Sequence, residues 1–257
     1  MISYYFKRII NDKTKLFMII FILILPIAEI LLYLRNISVG GYVPYADLAC
    51  FLTGNSHGLR HMIQSVFLWF MPFYLLVVVA DDCIEDYQSG YKNVMISKMG
   101  NKRYFINNII KGFVFSFVIV FTALIFNFIL VHILFYSASG QNISAILGEQ
   151  SGFLKWSAEN ATLTNIIYIV IASLIYAITG ATGTAVSVFF HERKIIYPLM
   201  LALWFVPLLL KKSIMIFLQP FSEYSITYAL PTVIIYIIVN IALVISLYLV
   251  RIKNEKI

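Results

Sequence analysis

The chain of 257 residues is 61% hydrophobic and 12% charged. A soluble globular domain carries about a quarter charged residues, so this composition excludes a water-soluble domain around one core and places the chain in a bilayer. The net charge of +7 invites a nucleic-acid partner, but Lys and Arg fall in short clusters between long apolar runs and not along a solvated face, which argues against one. The two cysteines, Cys50 and Cys83, rule out a disulfide framework or a multi-cysteine metal site.

Residues 1–14 read as an amphipathic interfacial helix. Ile2, Tyr5, Phe6, Ile9 and Ile10 share one face at helical spacing, with Lys7, Arg8, Asn11 and Asp12 on the other. Apolar runs then predict six transmembrane helices at about 16–34, 62–80, 112–136, 163–190, 195–210 and 231–250. The fifth run is short and holds Pro198 and Pro207, so it does not cross alone. The apolar run from Ser213 to Leu218 is far too short to span, which predicts a re-entrant or interfacial outer segment between spans five and six. The expectation is an all-α membrane protein forming a single domain over 1–257. The first apolar run contains Glu29 and has no small-residue cleavage site after it, so it reads as a retained span and not a signal peptide.

Orientation follows from the basic residues. With the N-terminus inside, Arg35, Arg60, Lys155, Lys211 and Lys212 lie outside and the other fourteen of the nineteen Lys and Arg lie inside. This positive-inside bias puts both termini in the cytoplasm.

Little in the sequence points to catalysis. There is no Gly-x-x-x-x-Gly-Lys-Ser/Thr segment, so any ATP dependence resides on another chain. His57, His61, His132 and His191 are scattered over both sides and define no metal site. The His191-Glu192-Arg193-Lys194 run lacks the second histidine of a zinc protease motif and reads as a charged tip between two spans. Among intramembrane polar residues, Glu29 could meet a cationic cargo or couple to protons, or reach the interface or a neighbouring helix. Asn127, His132 and Asn240 read first as interhelical hydrogen bonders and second as cargo contacts. Trp69 and Tyr74 could form an aromatic wall for cargo, although packing or interface anchoring explains such residues equally well. Ser173, Ala177, Ala181 and Ala185 recur every four residues beside Gly180 and Gly183, the pattern of a close helix-packing face.

The connection 81–111 is the most unusual segment. An acidic cluster, Asp81, Asp82, Glu85 and Asp86, is followed by Ser89-Gly90, a short helix with Val94, Met95 and Met99 on one face, a Gly100-Asn101 break, and the basic pair Lys102-Arg103. This order resembles the permease subunits of type-two ABC exporters. In that family, an acidic residue after the second span, a Gly step, a short coupling helix and a Lys in the next helix follow in this sequence. Here Glu85, Ser89, Gly90, Val94, Met95, Lys102, Arg103 and Lys111 occupy the corresponding places, while Met99-Gly100 stands where a proline is usual. The likeness extends over nearly the whole chain, since the amphipathic N-terminus, the six spans and the outer apolar segment follow the same order.

The resemblance implies a cytoplasmic coupling helix that docks on a separate ABC ATPase dimer. Val94, Met95 and Met99 would fill its groove, and Glu85, Lys98 and Arg103 would make rim ion pairs. It implies no cofactor on this chain, with ATP and Mg on the ATPase, a second permease copy or a paralogue as partner, and a location in the bacterial plasma membrane. Size and the absence of a large outer domain make the chain similar to permeases of lantibiotic immunity and of peptide or drug efflux. The competing expectation is an ATP-independent channel or secondary carrier built on Glu29. A membrane-embedded enzyme ranks behind both for want of a catalytic constellation.

Overall fold

The computed structural model describes residues 2–41, 43–53, 58–136, 152–222 and 226–254. His57, Lys256 and the side chains of Ile2, Arg251 and Lys253 lie outside what is described. The described residues are mostly helical, with no strand among them. Five helices are long and apolar enough to cross a membrane, at Lys13–Ser38, Leu59–Gln88, Asn101–Leu134, Ala161–Phe190 and Ile226–Val250. The run predicted as a fifth span is a helix of only 17 residues, Arg193–Leu209, about 25 Å long at 1.5 Å per residue.

In chain order, α1 (Ile2–Asn11) is separated from α2 (Lys13–Ser38) by Asp12, whose carboxylate accepts from the backbone N–H of Thr14 and Lys15 and so caps α2. The segment after α2 returns into the fold, and residues 46–53 are all buried. Then α3 (Leu59–Leu75), carrying Pro72, runs through a wider π turn at Leu76–Ala80 into α4 (Asp81–Gln88). Proline and an inserted π turn both relax the regular ladder, and together they bring the acidic run to the bundle end without ending the helix.

Gly90, at φ 73°, turns the chain from α4 into α5 (Tyr91–Met99), and Gly100, at φ 80°, turns it again into α6 (Asn101–Leu134). The connection 81–111 is therefore helical almost throughout, and the third long helix begins eleven residues before the predicted span at 112. The remaining helices are α7 (Phe153–Glu159), α8 (Ala161–Phe190), α9 (Arg193–Leu209), α10 (Ile214–Leu218) and α11 (Ile226–Asn254).

Helix α8 is the centre of the bundle, and Ser173, Ala177, Ala181 and Ala185 are all buried in it. Its closest approach is to α6, where Gly112 and Ser116 face Gly180 and Thr184. A Cβ added to Gly112 would overlap the Thr184 hydroxyl and lie 2.9 Å from the Gly180 carbonyl, and one on Gly180 would overlap Ser116. Small residues four apart on both helices are what permit this contact. On another side of α8, Tyr176, Trp204 and Tyr236 pack ring on ring at 5.1 and 5.6 Å. The Tyr176 hydroxyl donates to the Leu68 carbonyl at 2.9 Å, so α3, α8, α9 and α11 share one core.

Helix α1 is amphipathic, but its apolar face is not all turned one way. Tyr5 and Ile9 are buried against the bundle while Phe6 and Ile10 are exposed, so the apolar stripe is divided between protein and surroundings. Arg8, expected on the solvated face, turns inward with its side chain 20% exposed. The acidic end of α4 draws it there.

Candidate functional site

At the bundle end that carries α1, four carboxylates on one helical run meet basic residues from four other elements. Asp82 is fully buried and takes three of them: Arg8 of α1 at 3.3 Å, Lys15 of α2 at 2.6 Å and Lys111 of α6 at 3.2 Å. Glu85 accepts from Arg8 at 3.0 Å and Lys15 at 3.2 Å, and Asp86 pairs with Arg8. Asp81 faces the other way, toward α9, where Arg193 lies at 3.0 Å and the Tyr197 hydroxyl donates at 3.0 Å. The Lys111 ammonium also sits over the Tyr5 ring, 4.4 Å from its centre.

Spacing explains the division. Asp82, Glu85 and Asp86 lie three and four apart on one helical face, while Asp81 and Glu85, four apart, reach the adjoining face toward α9. Partial burial works against the Arg8 charge, yet Asp82, Asp86 and Glu85 outweigh it and raise its pKa above the ordinary guanidinium value. For Asp12, slight burial would raise the pKa, but the hydrogen bond and charge of Lys15, with the capped backbone amides, hold it below the usual carboxylate value.

The short helix α5 hangs from this cluster and is anchored at one side. Met95, Ile96 and Met99 pack on a core that includes Cys83, Tyr104 and Phe105. The Lys92 ammonium contacts Nε2 of His191, whose ring stacks on Tyr87 with centres 4.0 Å apart. His191 ends α8 in the left-handed region, at φ 57°, so α5 is tied to the turn between α8 and α9.

Of the residues expected to couple, Glu85 is in the ion-pair cluster. Ser89 caps α4 by donating to the Glu85 carbonyl at 2.7 Å, and Gly90 makes the turn. Val94, Lys98 and Arg103 are exposed. Met95 and Met99 differ from the expected single apolar face: they turn inward, and of the three apolar residues only Val94 is offered outward. The His191–Lys194 run is likewise more than a charged tip, since Arg193 pairs with Asp81.

The residues considered for cargo lie apart from this cluster. Tyr74 is buried edge-on to Phe21 at 5.4 Å, and Trp69 is partly exposed on α3. Asn127 joins elements: its amide donates to the Pro26 carbonyl at 2.9 Å, and its oxygen accepts from the Phe51 N–H at 3.0 Å. His132 reaches Asp47 at 3.3 Å, and Asn165 donates to the Asp47 carbonyl at 3.0 Å. The Asn240 amide donates to the Tyr236 carbonyl one turn back in its own helix. Glu29 is 2% exposed, and its Oε2 has no hydrogen-bond partner. Among the described residues, no group of His, Cys, Asp and Glu is arranged to hold a metal ion.

The acidic cluster was visible in the sequence, but its partners were not. Arg8 lies in the last turn of α1, Lys15 and Arg193 at the starts of apolar helices where basic residues serve orientation, and nothing in their spacing marked them for Asp82 or Asp81.

Five apolar helices of spanning length and a buried ionic end define a helical protein suited to a membrane. The chain is 33% identical over 251 residues to the uncharacterized protein YybM of Bacillus subtilis (strain 168), covering 97% of each chain. It therefore belongs to the same family as YybM. No family model matches the chain, and no solved structure matches it.

Proposed function

We propose that this chain is the membrane-spanning subunit of an ATP-driven exporter of the type-two ABC class. In this reading it moves an amphipathic peptide, as in lantibiotic immunity, or a drug-like lipophilic compound out of the bacterial cell or its plasma membrane. ATP and Mg are handled by a separate cytoplasmic ATPase dimer, and a second permease, identical or paralogous, completes the pathway. Helix α9 together with α10 supplies a sixth crossing, with α10 as the outer interfacial piece. Both termini and α5 face the cytoplasm.

The observation that carries this reading is the link between α5 and the bundle. Helix α5 presents Val94 and Lys98 outward, and through α4 it is joined by ion pairs to α1, α2, α6 and α9. A displacement of α5 by a partner is passed to four elements at once, which is what a rocking transporter requires. A second reading, a channel or carrier working through Glu29, is favoured by one feature, the buried and unpartnered Oε2 of that residue.

Affinity purification of the full chain from its own membranes tests the first reading. An ABC ATPase copurifies and hydrolyses ATP, and Val94→Asp lowers that hydrolysis. Recovery of the chain without an ATPase, together with ion-driven flux in liposomes that Glu29→Gln abolishes, overturns it in favour of the second.

A further inference from the structure

A cleft of about 360 Å³ opens between α2 and α9 beside the ionic cluster. Its inner wall is apolar, formed by Met18, Phe73 and Val77, and its rim is charged. Helices α2 and α9 flank it, with Phe73 of α3, Val77 of the π turn and Asp81 and Glu85 of α4 completing the lining.

The rim has an excess of acid. Asp12, Asp81 and Glu85 line it against Lys15 and Arg193. Lys15 is 2% exposed and already committed to Asp12, Asp82 and Glu85, so it holds no place open for an anion. Arg193 differs: its side chain is 56% exposed while it bridges Asp81 at 3.0 Å and Glu85 at 3.8 Å. Asp81 is itself buried, with its side chain only 8% exposed, so the carboxylate stays in place and the solvent-facing guanidinium is the partner that can be exchanged. Behind it, Tyr197 and Phe73 meet edge to face at 5.5 Å, giving an aromatic wall that suits a cation.

We propose that this cleft is a binding site for an ammonium-bearing amphiphile. The ammonium takes the place of the Arg193 guanidinium between Asp81 and Glu85, and the apolar part lies along Met18, Phe73 and Val77. The same chemistry is offered by the headgroup of phosphatidylethanolamine and by a free amphipathic amine. The inference does not depend on the exporter reading, because binding is measured with no ATPase present.

The test uses the full chain in nanodiscs of phosphatidylglycerol with a dansyl-labelled alkylammonium as probe, read by fluorescence. The expected result is saturable binding that Asp81→Asn weakens about tenfold and Arg193→Ala tightens about fivefold, because the competing guanidinium is gone. Arg193 is exposed, so its replacement should leave the unfolding midpoint unchanged, and that midpoint, read beside the binding, keeps the test sharp if Asp81→Asn proves unstable. Replacing half of the lipid by phosphatidylethanolamine assigns the source: competition with the probe identifies a lipid headgroup, and its absence identifies a free amine. Binding that is equal in all three proteins, or weaker in Arg193→Ala, overturns the proposal.

Discussion

Lys15 and Asp82 meet at 2.6 Å with both side chains almost wholly withdrawn from solvent, fastening the first turn of α2 to the first turn of α4. Neither charge is comfortable there alone, and Asp82 balances two further cations, Arg8 and Lys111. Removing one member of a buried pair leaves an uncompensated charge and costs about 3–5 kcal/mol. Asp82→Asn should therefore lower the thermal unfolding midpoint in detergent steeply, with three cations left around a neutral amide. Lys15→Met should cost less, because Arg8 and Lys111 still serve Asp82. Adding Lys15→Met to Asp82→Asn should recover part of the loss, since it removes one stranded charge. A single Lys15→Met as damaging as Asp82→Asn would contradict this ordering.

The α6–α8 contact gives a steric prediction. Gly180→Ala forces a methyl group against Ser116, and the Gly112 carbonyl at 3.1 Å prevents the backbone from yielding. Overpacking of this kind costs about 1–3 kcal/mol. Ser116→Gly in the same chain should restore most of the stability, since the Ser116 hydroxyl has no hydrogen-bond partner to lose. Gly183→Ala should be milder, because its nearest obstacle is the Leu76 side-chain tip at 2.8 Å, which can rotate. Thermal unfolding of the four proteins ranks the effects.

What the sequence made legible follows from which forces act along the chain and which act across it. Apolar length fixes the long helices, glycine at positions 90 and 100 fixes the two turns around α5, and fourfold small residues mark α8 as a packing helix; all three are local patterns. Pairings are not local: Arg8 and Asp86 are 78 residues apart, and Arg8 looked solvated because its own helix places it opposite Phe6 and Ile10. Met95 and Val94 illustrate the same limit within one helix. Adjacent residues point about 100° apart, and only the position of Tyr104 and Phe105 decides that Met95 turns inward. The buried segment 46–53 left no pattern, because Asn127, Gln64 and Asn165 hold its backbone through side-chain hydrogen bonds from distant helices.

Asp12 carries a pH dependence with a definite sign. Its pKa in the folded chain lies below the ordinary carboxylate value, so its charge contributes stability that is full above the unfolded value of about 3.9 and is lost as pH falls through the folded value. Asp12→Asn keeps the cap on α2 but removes the charge. The stability difference between the native chain and this variant should be constant from neutral pH to about pH 5 and should shrink on further acidification. Asp12→Ala loses the cap as well, about 1 kcal/mol, and that portion should persist at every pH. A difference that grows on acidification would show that the carboxylate is not the stabilising form.

The two apolar neighbours on α5 separate docking from folding. Val94 is 47% exposed, so Val94→Asp should leave the unfolding midpoint unchanged while lowering ATP hydrolysis by a copurified ATPase several-fold, if α5 seats in a partner's groove. Met95 packs beside Cys83, Tyr104 and Phe105. Met95→Asp places an unpaired charge against that core and should lower the unfolding midpoint as well as hydrolysis. Lys92→Ala supplies a third case: it removes the contact with His191 and loosens α5 from the α8–α9 turn without touching its outer face. On the exporter reading an ATPase should still copurify with this variant, but its hydrolysis should become less responsive to added cargo, because a displaced α5 moves the turn less. Loss of ATPase binding in Lys92→Ala would instead place the inner face of α5 in the partner contact, and the assignment of Val94 as the docking residue would fall.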